Sequence, residues 1–172
     1  MTMKRYILSI LLALALILMP SVPAFAATTA DVTVTATPAY VAIADNQTSY
    51  DFGVVATSTT PSTSENWCAI TNTSTVQTDI TISVTGATWS GGVTWTHSDT
   101  CTPGADTAGL KTNRGGTWGV SDIIIKNAAP EYIYENCPAL TDFDYGIKLW
   151  TPTSYTDGVE KENTVRVSAA AG

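Results

Sequence analysis

Two pairs of carboxylates, Asp142 with Asp144 and Glu160 with Glu162, stand two residues apart in the chain. At that spacing both members point to one face of an extended strand, an arrangement a glycosidase can use as acid and nucleophile. A solvated strand face, charged so that it does not pair with other edges, accounts for the same residues more simply. The single histidine, His97, closes the run Val93-Thr94-Trp95-Thr96-His97 and is read as a surface or partly packed side chain. Catalysis by any of the hydroxyl residues would need a base nearby, and His97 is the one histidine available. The stretch TNRGGTWG, residues 112 to 119, has glycines but neither the strand-loop-helix context nor the lysine-serine ending of a phosphate loop. No nucleophile elbow or zinc spacing occurs. Asp99 and Asp106 with neighbouring carbonyls offer oxygens to a hard cation, but their spacing matches no calcium loop. The expectation is a protein that is not an enzyme and needs no cofactor or metal.

Three cysteines leave one over if two pair. Cys68 alternates with Ile70 and is expected to face inward as a small apolar residue. Cys101 and Cys137 lie in stretches rich in Pro, Thr and Asp, so the expected bridge is Cys101 with Cys137. It would close about 35 residues and add about 3 kcal/mol through the unfolded state. An exposed Cys68 would instead permit a bridge between molecules.

The tryptophans give the best hint of a binding surface. Trp89 and Trp95 flank the Gly91-Gly92 turn, and Trp118 follows the Gly115-Gly116 pair. Exposed in a row, these three rings would stack on the faces of sugars. Packing in the core or at the rim is the competing reading. Two sequons, Asn46-Gln47-Thr48 and Asn72-Thr73-Ser74, are expected in loops and matter where the host glycosylates asparagine.

The elements that must position these residues read as strands. Residues 31 to 37 (DVTVTAT) alternate Val32, Val34 and Ala36 with threonines, and Ser49 to Val55 places Tyr50, Phe52 and Val54 on one side. Further runs are Asn66 to Asn72, Thr78 to Thr85, Val93 to His97, Asp122 to Lys126, Asp142 to Trp150 and a last run around Val165 and Val167. Weaker candidates are Tyr40 to Ile43 and Tyr132 to Tyr134. About eight to ten short strands bounded by turn residues predict an all-β chain, a single antiparallel β-sandwich of immunoglobulin-like or jelly-roll type. The 30 threonines suit it, because a β-branched hydroxyl residue fits a pleated surface and keeps the outer face wet without charge.

At the N-terminus, Lys4 and Arg5 precede an apolar run from Ile7 to Met19, and Pro20 leads to the small-residue site Ala24-Phe25-Ala26. This reads as a cleavable signal peptide over residues 1–26, with a single domain over 27–172. The run is shorter than the roughly 20 residues a spanning helix requires, so no stable membrane span is expected after cleavage. The leader carries two basic residues and no acidic one, so its removal moves the net charge from -7 to -9. A chain this acidic lacks the positive footprint that nucleic acid requires.

The strand-NTSTVQTD-strand hairpin, the closing GIKLWTPTSYTDGVEKENTVRVSA and the opening ADVTVTATPAYVAI together resemble the secreted β-sandwich subunits of prokaryotic surfaces, of the camelysin-like and biofilm-fibre kind. In fibre-forming members, the resemblance implies, an N-terminal strand inserts into the sheet of the next subunit. Residues Asp31 to Thr37 are the piece that would do so here, with Val32, Val34 and Ala36 in the acceptor's pockets and Pro38 as a hinge. The expected function is a secreted structural or adhesive protein of a cell surface or extracellular matrix. Its expected partners are itself, surface glycans or other surface proteins. The alternative is an extracellular carbohydrate-binding module using Trp89, Trp95 and Trp118.

Overall fold

A computed structural model describes residues 35–36, 38–127 and 129–172. The expected signal peptide (residues 1–26) and most of the Asp31 to Thr37 run, Val32 and Val34 included, lie outside the described residues; Ala36 is exposed and in no strand. The chain divides into two units, Met1–Thr37 and Pro38–Gly172, and the strands belong to the second.

Among the described residues the protein is all-β, without a helix. Ten strands follow in order: β1 (Ile43–Asp45), β2 (Cys68–Asn72), β3 (Thr78–Val84), β4 (Thr88–Trp89), β5 (Trp95–His97), β6 (Thr107–Asn113), β7 (Ile123–Ile125), β8 (Glu131–Cys137), β9 (Asp142–Trp150) and β10 (Val165–Ala171). Seven form a curled sheet in the order β1-β2-β9-β6-β5-β4, with β7 also on β6, and three form a second sheet in the order β10-β3-β8. Strand pairing is antiparallel except between β5 and β6, where Thr96 and His97 lie beside Thr107 and Ala108 in parallel. The expected wholly antiparallel arrangement is corrected at that point. The nine-residue connection between these strands doubles back through Cys101 and Asp106, which take positive φ angles of 50° and 47°.

Alternation explains which residues became strands. In β3, Thr78, Ile80, Ile82 and Val84 are buried while Asp79, Thr81 and Ser83 are half-buried. In β9, Phe143, Tyr145, Ile147 and Leu149 point inward. Both sheets contribute to one core, in which Ile70, Ile80, Ile82 and Ile125 are fully buried. Each such side chain contributes about 1.5 to 3 kcal/mol.

Two departures from the expected strands have physical causes. Residues 49 to 55 are not a strand: Asp51 Oδ1 accepts a hydrogen bond from Gly53 N at 2.6 Å, and Gly53 turns the backbone to φ +63°. Tyr50 and Phe52 keep their common side but pack without a ladder. Conversely β6, at the centre of the large sheet, shows no strand pattern in its sequence, because Thr107-Ala108-Gly109 contains weak strand formers. Gly109 is small there because the Cys101 loop lies on it; a Cβ would come 2.8 Å from Cys101 Cα.

Candidate functional site

The inward face of the large sheet is not wholly covered. Leu110, Ile147 and Leu149 floor a cleft of about 920 Å³, walled by Tyr50, Phe52, Trp67, Trp89, Trp95 and Tyr155. The rings brace one another edge to face: Tyr50 with Phe52 at 4.9 Å, Tyr50 with Trp67 at 5.3 Å and Trp67 with Tyr145 at 6.1 Å. Trp95 and Tyr155 stack at 5.2 Å, and the Tyr155 hydroxyl donates to Val55 O at 3.2 Å, tying the two rim loops together. The volume falls within the range of small-molecule sites, and Val165, the first residue of β10, lies on its wall.

The rim carries Asp45, Asp51, Asp157, Glu160 and Glu162 against one cation, Lys161. The Lys161 side chain is 3% exposed. Its ammonium donates to Asp157 Oδ1 at 2.6 Å and to Gly91 O, 5.9 Å from the centre of the Trp95 ring. That hydrogen bond, with a second from Val93 N, holds the Asp157 carboxyl below the usual carboxylate range. Gly91 is required here: its φ is +99°, and a Cβ would collide with the Glu160 carbonyl. The Gly91-Gly92 turn is therefore clamped under the 157–161 loop.

At the other end of the cleft, the Cys68 thiol donates to Asp45 Oδ1 at 2.6 Å, and the Tyr145 hydroxyl lies 3.4 Å from Asp45 Oδ2. Burial, reinforced by the hydrogen bond to Asp45, pushes the Cys68 thiol up to about 11. Burial also raises Tyr145. Burial pushes Cys101 up to about 11 and raises Cys137 as well. These thiols are held away from the thiolate form that a nucleophile needs.

The residues expected to form sites are distributed differently. Trp89 and Trp95 are 7% and 6% exposed and belong to the core, so the expected row of three exposed rings does not form. They are strand residues, with Trp89 beside Trp95 in the β4-β5 pair, and the curl of the sheet turns both inward. Trp118 is half-buried on the opposite, outer face. Its backbone N–H donates to Glu65 Oε1 at 2.9 Å, and its ring lies over Gly146, where a Cβ would come 2.9 Å from Trp118 Cζ2. No sequence pattern marks Trp67, Tyr50, Phe52 and Tyr155 as cleft residues; alternation puts Tyr50 and Phe52 on one side, but nothing local announces their neighbours.

All three cysteines are free, and the expected Cys101–Cys137 bridge is not formed. Cys101 Sγ donates to Leu110 O at 3.1 Å beside β6, whereas Cys137 is paired with Thr78 in the second sheet. Both positions looked like loops, yet Cys137 ends a strand. His97 is likewise more buried than expected, at 7% exposure; its Nε2 lies 2.8 Å from Ile125 O and its ring stacks on Trp89. Asn72 is not in a loop but fully buried at the end of β2, while Asn46 is exposed and accepts from Ala69 N. Asp142 and Asp144 stand beside Thr71 and Ala69 of β2. Glu160 lies in a loop, and Glu162 makes an isolated backbone bridge with Ser90. Asp99 accepts from Asn127 N, and Asp106 from Thr156, so both brace loops.

Comparison of the chain with protein-family models, with curated proteins and with solved structures finds no match.

Proposed function

We propose that this is an exported, non-enzymatic β-sandwich that serves as a structural or adhesive component of a cell surface or extracellular matrix. It associates with its own copies by strand exchange. The observation that carries this reading is the edge of β10. Along seven residues it pairs with β3 on one side, and on its other side it has no backbone partner among the described residues. Its sequence, VRVSAAA, has one charge, no proline and small side chains, so it lacks the devices that usually protect an edge. The opposite edge of the same sheet, β8, is guarded by Glu131, Glu135, register shifts against β3 and a positive φ at Asn136.

Residues 31 to 37 of a second copy suit the β10 edge, because strand addition needs main-chain hydrogen bonds and places for alternate side chains. Val32, Val34 and Ala36 would continue the row of half-buried Val165, Val167 and Ala169, which begins at the wall of the aromatic cleft. The test compares the sizes of chains 27–172, 38–172 and 27–172 carrying Val34→Asp by light scattering across a concentration range. Concentration-dependent assemblies lost in the second and third chains are expected. A first chain that stays monomeric at every concentration defeats the reading.

A second reading, an extracellular carbohydrate-binding module, is favoured by one observation. Trp118 and Trp150 are both half-buried and share the outer face of the large sheet. These rings, rather than Trp89 and Trp95, are where a sugar face would stack. The test is retention on insoluble polysaccharide: loss in Trp150→Ala with retention in Trp89→Phe is expected, and equal loss in both would refute it.

A further inference from the structure

The outer face of the large sheet carries an arrangement that stability alone does not explain. Lys111 of β6 and Lys148 of β9 are direct cross-strand partners, a placement in which like charges repel. The chain as a whole has 15 acidic residues against 8 basic ones, so two opposed lysines are a costly use of scarce positive charge. Lys148 finds one carboxylate, Asp122 at 3.9 Å. Lys111 makes no ion pair among the described residues.

Both ammoniums are held instead by indole rings. Lys111 Nζ lies 4.5 Å from the centre of Trp150, and Lys148 Nζ lies 4.3 Å from Trp118 and 5.6 Å from Trp150. Gly146 gives Trp118 room to lie down on the sheet, while Gly109 stands opposite Trp150. The result is a platform, Trp118-Lys148-Trp150 with Lys111 alongside, built on the two central strands of the large sheet. Its two cations face the Asp122 carboxylate, Glu65 borders it at the Trp118 backbone, and its rings are half-buried.

We infer that this platform binds an acidic glycan through a uronate residue, the carboxylate accepting hydrogen bonds from Lys111 and Lys148 while the C–H face of the sugar lies on Trp150 or Trp118. A charge-assisted hydrogen bond to each ammonium would relieve the repulsion between them, and indole faces suit the flat apolar side of a pyranose. Single-stranded nucleic acid also stacks on aromatic rings, but it needs a groove that neutralises phosphate after phosphate. Two lysines beside Asp122, on a chain of net charge -7, do not make one. The inference rests on the carbohydrate-binding reading and names its ligand.

The experiment is affinity electrophoresis of the chain 27–172 in gels containing polygalacturonate, neutral glucan or no polymer, with fluorescent oligo(dT) binding measured beside it. Retardation by polygalacturonate, weakened by salt and reduced about tenfold in apparent affinity by Lys111→Gln, is expected. Lys126→Gln, which removes a surface pair with Glu131 elsewhere, should leave retardation unchanged. The melting temperature of Lys111→Gln should equal or exceed that of the parent, because a repulsion is removed; a large fall would show the lysine to be a structural prop and overturn the inference. Equal retardation by neutral glucan, unaffected by Lys111→Gln, would overturn the uronate assignment and leave the carbohydrate reading standing. Retardation by neither polymer would sink both, and tighter binding to oligo(dT) than to polygalacturonate would reassign the platform to nucleic acid.

Discussion

Replacing Asn72 tests the fold at a buried polar residue that joins three segments. The side chain is fully buried and makes three hydrogen bonds: Nδ2 donates to Cys137 O at 3.0 Å and Pro138 O at 2.9 Å, and Oδ1 accepts from Ser74 N at 3.0 Å. One amide thus joins the end of β2, the β2-β3 turn and the β8-β9 turn. Asn72→Ala removes all three bonds and leaves two carbonyls and one N–H without their partner. At about 1 kcal/mol for each bond, the loss is about 3 kcal/mol, and more if water does not enter. In a unit of this size that corresponds to roughly 10 °C in Tm. Asn72→Asp should be at least as harmful near neutral pH, because it sets a carboxylate against two carbonyl oxygens. Equilibrium urea unfolding followed by tryptophan fluorescence measures both, with Asn46→Ala as the control, since Asn46 is exposed and accepts one bond from Ala69 N at 2.9 Å. If Asn72→Ala cost no more than Asn46→Ala, the assignment of Asn72 as the junction of the three segments would be wrong.

Three further outcomes follow from the packing. Gly146→Ala places a Cβ 2.6 Å from Ser64 O and 2.9 Å from Trp118 Cζ2, so it should cost about 1 to 3 kcal/mol and shift the tryptophan emission; an unchanged spectrum and unfolding midpoint would contradict the close approach of Trp118. The Cys68 thiol stays protonated up to about pH 11 in the folded chain but ionises near its ordinary value of 9.0 when unfolded. Stability should therefore be full below pH 9, fall as the pH rises from there to 11 and then level, by about 2 to 3 kcal/mol in all. Thermal melts across that range should show a shallower fall in Cys68→Ala, and parallel curves would refute the assignment. Trp95→Ala should lose about 3 to 5 kcal/mol by emptying a core position; a loss below 1 kcal/mol would mean that the ring is not packed as described.

Much of the fold was legible in alternation. The run Asp142 to Trp150 is β9 from end to end, and Thr78 to Thr85 differs from β3 by one residue, because a strand buried on one face must change polarity at each step. The same rule failed for residues 49 to 55, where the alternation of Tyr50 and Phe52 is real but no neighbouring strand supplies hydrogen bonds. It also failed for β6, whose small and weakly β-forming residues are chosen by what lies on them: Cys101 over Gly109, and β5, β7 and β9 along its edges.

The candidate sites were less legible, for a related reason. Residue type showed that tryptophans, lysines and carboxylates were present, and period-two patterning showed which neighbours share a face. Neither says which face of a curled sheet becomes the inside. Trp89 and Trp95 look like ring platforms beside a glycine turn, yet curvature puts them in the core. Trp118 and Trp150 stay outside, where the β6-β9 register brings Lys111 opposite Lys148. The amino-acid order by itself determined an all-β chain with strands of known face and an acidic balance of charge, because these depend on residues close in sequence. Only the tertiary structure decided the aromatic cleft, the three free thiols, the Asn72 junction and the lysine-tryptophan platform. Each depends on register and curvature between segments tens of residues apart, and no local pattern encodes those distances.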